Sequence, residues 1–513
     1  MPVPPASGVT PGVAPAPGAP LTPGVAPATP GTQGAAPPPP GPFTPPPGPF
    51  TIPGAPLTTP VPAPLTGGVP VPPVPGPAAQ PASPLTPIPE TAGPSSPSGG
   101  GPIGPYRFGQ PLVELGAPVQ VAVTGTVEEE FDDNVNQTKT NKQSEFRTNL
   151  YPGISAFLDR GTTTGYLLYA PRITMPNNNV SNTFVDQNLT ARGRWKPTGQ
   201  LQFDVGDAYI DSSDFYDLQN PGTRQTGTQP YVTNTGTASA AWLPPTGRLG
   251  LSYTNVLAQP SGPNPDSSLT HIIRPDFAIR NPRWELAGDY ALTRAIFDIS
   301  SPYWENTGEA RLTRFLTHTA SATLSGLVSF HEPDDTTTAV RFDVERLRLG
   351  FAWTVTPLTF LDVAAGADRF APSNTSSKIR PSGSLGFTHR FSYFDVSARF
   401  DSGFQEQFQD VVNTGTTFTQ AASLLATLTA FRDLRSTLAV RWTRNEFQLT
   451  TANVGSGTID RTWVVEFGIR YAILRPVFLT LNYTLTLRNS TDPGATFTEN
   501  SVRLGLTYVY SVL

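Results

Sequence analysis

From about residue 118 to residue 513 one pattern recurs. A run of roughly ten to fourteen residues alternates apolar with polar side chains, a turn or loop ends it, and the next run begins. In the last run Val502, Leu504, Leu506, Tyr508 and Tyr510 share one parity, while Arg503, Gly505, Thr507 and Val509 share the other. Successive side chains of a strand point to opposite faces, so each run is a ribbon with one oily side. A tilted strand crosses a bilayer in about 9–11 residues, whereas strands of soluble domains average ~5–6. The runs therefore predict an all-β chain, a single antiparallel transmembrane β-barrel. A soluble sandwich also alternates, but with strands about half as long, and a solenoid would show a tighter repeat.

Turn chemistry divides the chain. Short turns fall at Asp159-Arg160-Gly161, Lys196-Pro197-Thr198-Gly199, Pro244-Pro245-Thr246-Gly247 and Asn281-Pro282-Arg283. Others fall near Thr317-His318, Thr356-Pro357, His389-Arg390, Arg432-Asp433 and Leu474-Arg475-Pro476. Longer polar connections lie between them, at 132–144, 174–182, 211–229, 258–268, 299–305, 331–338, 370–379, 406–416, 450–460 and 490–498. Short periplasmic turns alternating with long outward loops give about 20 strands, or 18 if a bulge has split a pair. The longest loop, 211–229, is a candidate for an inward-folded constriction.

Composition separates a second region. Residues 1–105 hold more than half of the 59 prolines and one charged residue, Glu90. Proline fixes φ and supplies no amide donor, and few large apolar residues offset the entropy of ordering. We expect a disordered arm of polyproline II character over 1–105, a linker over 106–117 and the barrel over 118–513. The arm is a spacer, or a tether to peptidoglycan or another envelope partner. Met1-Pro2-Val3-Pro4-Pro5 lacks the basic and apolar regions of a signal peptide, so the export signal is expected upstream of Met1. The expected location is the outer membrane of a diderm bacterium, with the arm in the periplasm.

The chain has no cysteine, which excludes disulfides, thiolate metal sites and a cysteine nucleophile. A net charge of −5 without a basic stripe argues against nucleic acid. No nucleophile elbow, phosphate loop or dinucleotide fingerprint occurs, and no cofactor is expected. Of the four histidines only His331, in His331-Glu332-Pro333-Asp334-Asp335, lies in an acidic cluster. Such a cluster at a barrel rim is the remote case for a hydrolase. Asp132-Asp133-Asn134 offers oxygen ligands of the kind calcium takes, but in no EF-hand spacing.

The more defensible site is the lumen wall. By parity Glu285, Asp289, Arg311, Arg341, Asp343, Glu345, Asp395, Arg399, Arg441, Glu466, Arg470, Arg488 and Arg503 are expected to point inward. A charge facing lipid at the midplane costs ~2–4 kcal/mol, so charges belong inside. Opposed basic and acidic rows would filter polar solutes by charge, or would pair and plug the lumen. Trp195, Trp242, Trp284 and Trp353 sit beside short turns, as an interfacial aromatic girdle requires.

Two stretches carry a resemblance. Arg503-Leu504-Gly505-Leu506-Thr507-Tyr508-Val509-Tyr510 resembles the C-terminal signal of outer-membrane proteins, with a polar residue at Arg503, glycine at Gly505 and aromatics at Tyr508 and Tyr510. It departs from the usual form because Ser511-Val512-Leu513 follows and the last residue is not Phe. The opening strand, Val121 to Val135, with Glu128-Glu129-Glu130 leading to Asp132-Asp133-Asn134, is similar to β-barrel porins associated with exopolysaccharide loci. So are strand, Thr-Pro turn, strand units such as Trp353 to Phe360. The resemblance implies recognition by the barrel-assembly machinery, contact with outer-membrane lipid, and passage of polar solute or exopolysaccharide. It implies no catalytic residue. The alternative is a non-conducting barrel that anchors the arm or displays its loops.

Overall fold

The computed structural model describes residues 119–511, apart from 136, 178–182, 213–230, 261–266, 336–339, 411–412, 432, 449–457, 475 and 492. The Pro-rich arm, its linker and almost all of loop 211–229 lie outside the described residues. The described secondary structure is β throughout, apart from one short 3-10 turn at Pro493–Ala495.

The first arc holds β1 (Val119–Asp132), β2 (Glu145–Asp159), β3 (Thr163–Tyr169), β4 (Arg172–Pro176), β5 (Phe184–Thr198), β6 (Leu201–Ser212), β7 (Tyr231–Trp242), β8 (Gly247–Pro260), β9 (Ser268–Arg280) and β10 (Trp284–Phe297). The second holds β11 (Tyr303–Phe315), β12 (Ala320–Pro333), β13 (Phe342–Thr356), β14 (Thr359–Pro372), β15 (Lys378–Arg390), β16 (Phe394–Asp410) and β17 (Asn413–Phe431). β18 (Leu434–Phe447), β19 (Ile459–Leu474), β20 (Val477–Ser490) and β21 (Phe497–Ser511) complete it.

Apart from β3 and β4, each strand pairs antiparallel with its neighbours in sequence, and β21 pairs back onto β1 from Ala122↔Ser511 to Asp132↔Ser501. That pairing closes the barrel and leaves no edge at the join. β3 and β4 occupy a single position, because both keep the same register with β2 and the same register with β5. The break is at Ala170-Pro171, where proline cannot donate to the ladder. Among the described residues, 21 strand segments thus make a 20-strand barrel.

The oily parity faces outward. Val127, Val205, Leu251, Leu349, Leu385 and Leu504 are exposed on the outside, and their sequence neighbours face the lumen. On β1 this puts Glu128, Glu130 and Asp132 inside and out of contact with solvent. A polar, charged interior behind an apolar outer band is what a strand of period two delivers when lipid surrounds it.

One expected loop is largely strand. Residues 406–410 belong to β16 and 413–416 to β17, which pair from Phe394↔Leu428 up to Gln407↔Gly415, and the hairpin rises well past the neighbouring β15.

Candidate pore constriction

The wall is not continuous between β15 and β16. The two strands pair from Arg390↔Asp395 only as far as Gly383↔Ser402, while the last five residues of β15 toward the loop, 378–382, pair with β14 alone. Pro381 lies two residues above the last pair, where a ladder would need another amide donor. Above Ser402, β16 turns into the lumen and lies against side chains on the inner faces of β13 and β14.

Three of those side chains bond to the backbone of β16 where β15 leaves it. Arg346 Nη2 donates to the carbonyl of Phe404 at 2.7 Å, and Arg348 Nη2 to that of Ser402 at 2.7 Å. Asp368 Oδ2 accepts the Phe404 amide at 3.0 Å and the Arg346 guanidinium at 2.9 Å. Arg348 Nε also donates to Ser382 Oγ at 3.1 Å. Asp368 is 0% exposed, so its charge is tolerable only because guanidinium and amide donors surround it. Gly403 permits the close approach. A Cβ there would sit 2.6 Å from Arg348 Nη2 and 2.7 Å from Asp368 Oδ2.

An aromatic row holds the hairpin from the other side. Phe370 of β14 meets Phe404 at 5.4 Å between ring centroids, and Phe404 meets Phe418 of β17 at 5.1 Å. The row continues along the inner wall through Phe342, His331, Tyr303 and Phe297. With Ala295 and Val344 these Phe and Tyr side chains form a buried apolar cluster within the lumen. Further contacts span the same split. Lys378 Nζ donates to Gln448 Oε1 just beyond β18, and Arg380 Nη2 to Glu446 Oε1 of β18, each at 2.7 Å. The loop ends of β16–β18 therefore lie behind β15 on the lumen side.

Ten of the thirteen expected lumen residues lie on the inner face, most of them in ion pairs. Asp289 accepts from Arg274 at 2.8 Å, Arg399 donates to Asp401 at 2.5 Å, and Arg441 lies 3.3 Å from Glu466. Arg488 is 2.8 Å from Asp460, and Arg503 2.8 Å from Glu130. Arg311 lies 3.5 Å from Glu309, and Glu285 3.8 Å from Arg280. Asp395 sits at the turn end, 3.3 Å from Arg390, and the Arg470 guanidinium covers the Phe478 ring at 4.0 Å.

Asp343, Glu345 and Arg341 are corrections. Asp343 and Glu345 share the face of Leu347 and Leu349, which are 61% and 65% exposed on the outside. Glu345 pairs there with Arg369 at 2.8 Å. Arg341 precedes the strand and pairs with the exposed Glu332 at 3.6 Å. The reason is height. At its loop end β13 has risen above the lipid, so its outer face is wet, while the folded-in hairpin makes its inner face apolar and buries Phe342 and Val344. The charges that do enter the lumen from β13, Arg346 and Arg348, were not singled out from the sequence. Their alternation with Leu347 and Leu349 was the available signal. Glu128, Arg147 and Glu499 were also missed. Tyr151 Oη donates to Glu128 at 3.2 Å, Arg147 Nε to Glu145 at 2.7 Å, and Gln137 to Glu499 at 3.1 Å.

The His331 cluster is dispersed. The imidazole is buried between the Tyr303 and Phe342 rings, at 4.4 and 4.5 Å, while Glu332 turns to Arg341 and Asp334 to Arg294. Asp133 of the candidate calcium loop accepts the Asn500 amide and side chain, each at 2.7 Å. No metal-binding group of His, Asp and Glu forms among the described residues. Trp195, Trp242 and Trp353 are exposed on the outer face beside their turns, and Trp284 is half-buried on the same face. Tyr508 and Tyr510 point outward and stack at 6.5 Å, with Arg503 and Gly505 on the lumen side.

An antiparallel sheet closed on itself, apolar outside and charged within, defines an outer-membrane β-barrel. Among solved structures the chain is similar to the FrpB iron transporter of Neisseria meningitidis, F3-3 variant, with TM-score 0.50 and 9% identity over 77% of this chain and 82% of that one. It is also similar to the siderophore receptor PirA of Pseudomonas aeruginosa, with TM-score 0.47 and 7% identity over 78% and 81%. At such identities the likeness concerns the fold alone. No protein-family model and no curated protein matches the chain, so the resemblance to exopolysaccharide-associated porins gains no support beyond the barrel itself.

Proposed function

We propose that the barrel passes polar solutes, or an exopolysaccharide chain, across the outer membrane, and that the folded-in β16–β17 hairpin sets the width of the path. The carrying observation is the hairpin held inside the wall by Arg346, Arg348 and Asp368. Guanidinium and carboxylate groups beside such a constriction would orient hydroxyl-rich or charged solutes and slow apolar ones. Single-channel conductance in planar bilayers tests this reading. The intact chain should give discrete steps, and removal of residues 404–418 should enlarge them. Silence from both forms would reject passage and favour the anchoring role. The complete burial of Glu128 and the near-complete burial of Glu130, Arg147 and Arg503 on the β1–β2–β21 arc favour that second reading. Under either reading, Gly505, Tyr508 and Tyr510 would serve recognition by the barrel-assembly machinery. The Pro-rich arm would reach into the periplasm toward peptidoglycan or polysaccharide.

A further inference from the structure

The nine short turns are of two kinds. Five consecutive ones, from β11–β12 round to β19–β20, each expose a large apolar side chain in the turn or directly beside it. They are Leu316 at 55% exposure, Leu358 at 51%, Tyr393 at 65%, Phe431 at 67% and Leu474 at 63%. The remaining four, after β2, β5, β7 and β9, turn on Asp159-Arg160-Gly161, Lys196-Pro197-Thr198-Gly199, Pro244-Pro245-Thr246 and Asn281-Pro282-Arg283. On β5 and β7 the outward band ends at an aromatic, Trp195 and Trp242, before Lys196-Pro197 and Leu243-Pro244-Pro245. On the other arc it does not end there. Past Trp353 the outer face continues through Val355 to Leu358, and past Phe387 it continues through Phe391 to Tyr393 and Phe394.

We infer that the periplasmic rim from β11 to β20 is immersed in the inner leaflet of the outer membrane, at the level of the glycerol and upper acyl groups, while the rim from β2 to β10 stands in water. The occupant follows from continuity, because on β13 and β19 the surface that already faces lipid runs on into the turn, through Val355 to Leu358 and through Tyr471 and Ile473 to Leu474. Indole marks the depth at which that surface meets water, and on β13 apolar residues continue beyond the indole. Each strand residue advances ~3.3 Å, so two or three extra residues carry the rim several ångströms deeper on one side. The barrel axis is therefore inclined to the membrane normal, and the constriction on β13–β18 lies on the more deeply seated side. This inference does not depend on whether the lumen conducts.

The chain has no cysteine, so single-cysteine variants report cleanly. Nitroxide labels at Leu358→Cys, Tyr393→Cys and Leu474→Cys, in phospholipid vesicles, would be compared with labels at Thr198→Cys, Thr246→Cys and Arg283→Cys. The expected result is a ratio of oxygen to nickel-chelate accessibility several-fold higher for the first set. Equal, water-like ratios in both sets would overturn the inference. Labels in the first set shielded from oxygen and nickel alike would also overturn it, since protein, such as a second copy of this chain, would then cover the rim. These positions lie in exposed turns, and an unchanged heat-modifiable gel shift verifies that each variant is folded.

Discussion

Two joins in the wall use the same chemistry to opposite ends. At the β1–β21 join the strands pair along eleven successive positions, and Arg503 and Glu130 meet on the lumen face of an unbroken sheet. At the β15–β16 join pairing stops at Gly383↔Ser402, and Arg346, Arg348 and Asp368 bond to the strand edge that pairing has abandoned. In the first case a buried ion pair decorates a ladder that backbone amides already satisfy. In the second, charged side chains replace the ladder. A sheet edge turned into a lumen has unsatisfied amides and carbonyls, and a guanidinium fork is well shaped to satisfy them. The comparison teaches that a barrel wall can bend inward locally when its side chains take over what a neighbouring strand provided.

The largest effects should come from removing one member of a buried set. Arg503→Ala leaves Glu130 without its cation, a loss on the order of 3–5 kcal/mol. The whole barrel should then unfold at lower temperature, measured by heat-modifiable gel mobility, with conductance steps unchanged in those molecules that fold. Asp368→Ala removes the acceptor between two arginines, again ~3–5 kcal/mol, but the cost should fall on the hairpin. Amide exchange at residues 402–405 should accelerate and conductance steps enlarge while barrel melting shifts less than in Arg503→Ala. If both variants melted alike with equal steps, the two joins would not differ as described.

Phe404→Ala comes next. It opens a hole beside Phe370 and Phe418, worth about 3–5 kcal/mol at full burial, partly relieved because a hairpin can settle. Proteolytic cleavage within 402–418 should rise with barrel mobility on gels unchanged. Pro381→Ala should act more weakly. It restores one amide donor, about 1 kcal/mol if paired, and should lengthen β15–β16 pairing by a residue or two. Amide exchange at Phe404, the residue that would pair opposite position 381, is the measurement.

The smallest effect is expected where an arginine–carboxylate pair stands in water. Arg294 holds Asp334 in the β12–β13 loop, and its hydrogen bonds keep the Asp334 carboxyl below the usual carboxylate range. A carboxylate whose folded value is lowered contributes above its ordinary pKa, and that contribution is lost as pH falls through the lowered value. Loop amide signals should therefore shift only in acid, and Arg294→Ala should leave barrel melting unchanged, because solvent screens an exposed pair.

Several features were legible because they are local. Alternation in 477–488 and 502–510 assigned inner and outer faces correctly, and most short turns were marked by Pro, Gly or Asp near the position where the chain reverses, Thr317-His318 being the exception. Arg441, Glu466 and Arg488 followed from the same parity. Asp343 and Glu345 did not, because parity separates two faces without saying which medium each face meets at a given height. The split at β15–β16 was hidden for a related reason. Pro381 and Gly403 are visible in the chain, but their meaning depends on Arg346, Arg348 and Asp368, which lie 13 to 57 residues away. Residues 406–410 and 413–416 read as a loop because their composition is polar, whereas they are strand.

The chain itself determined that this protein is a lipid-facing barrel of about twenty strands, since the period of two and the strand length needed to cross a bilayer are properties of neighbouring residues. Tertiary structure alone decided where the wall opens and which charges guard the opening. An inward turn of β16 is stable only when arginines from β13, a carboxylate from β14 and the rings of Phe370 and Phe418 converge on it, and that convergence exists only after the sheet has closed.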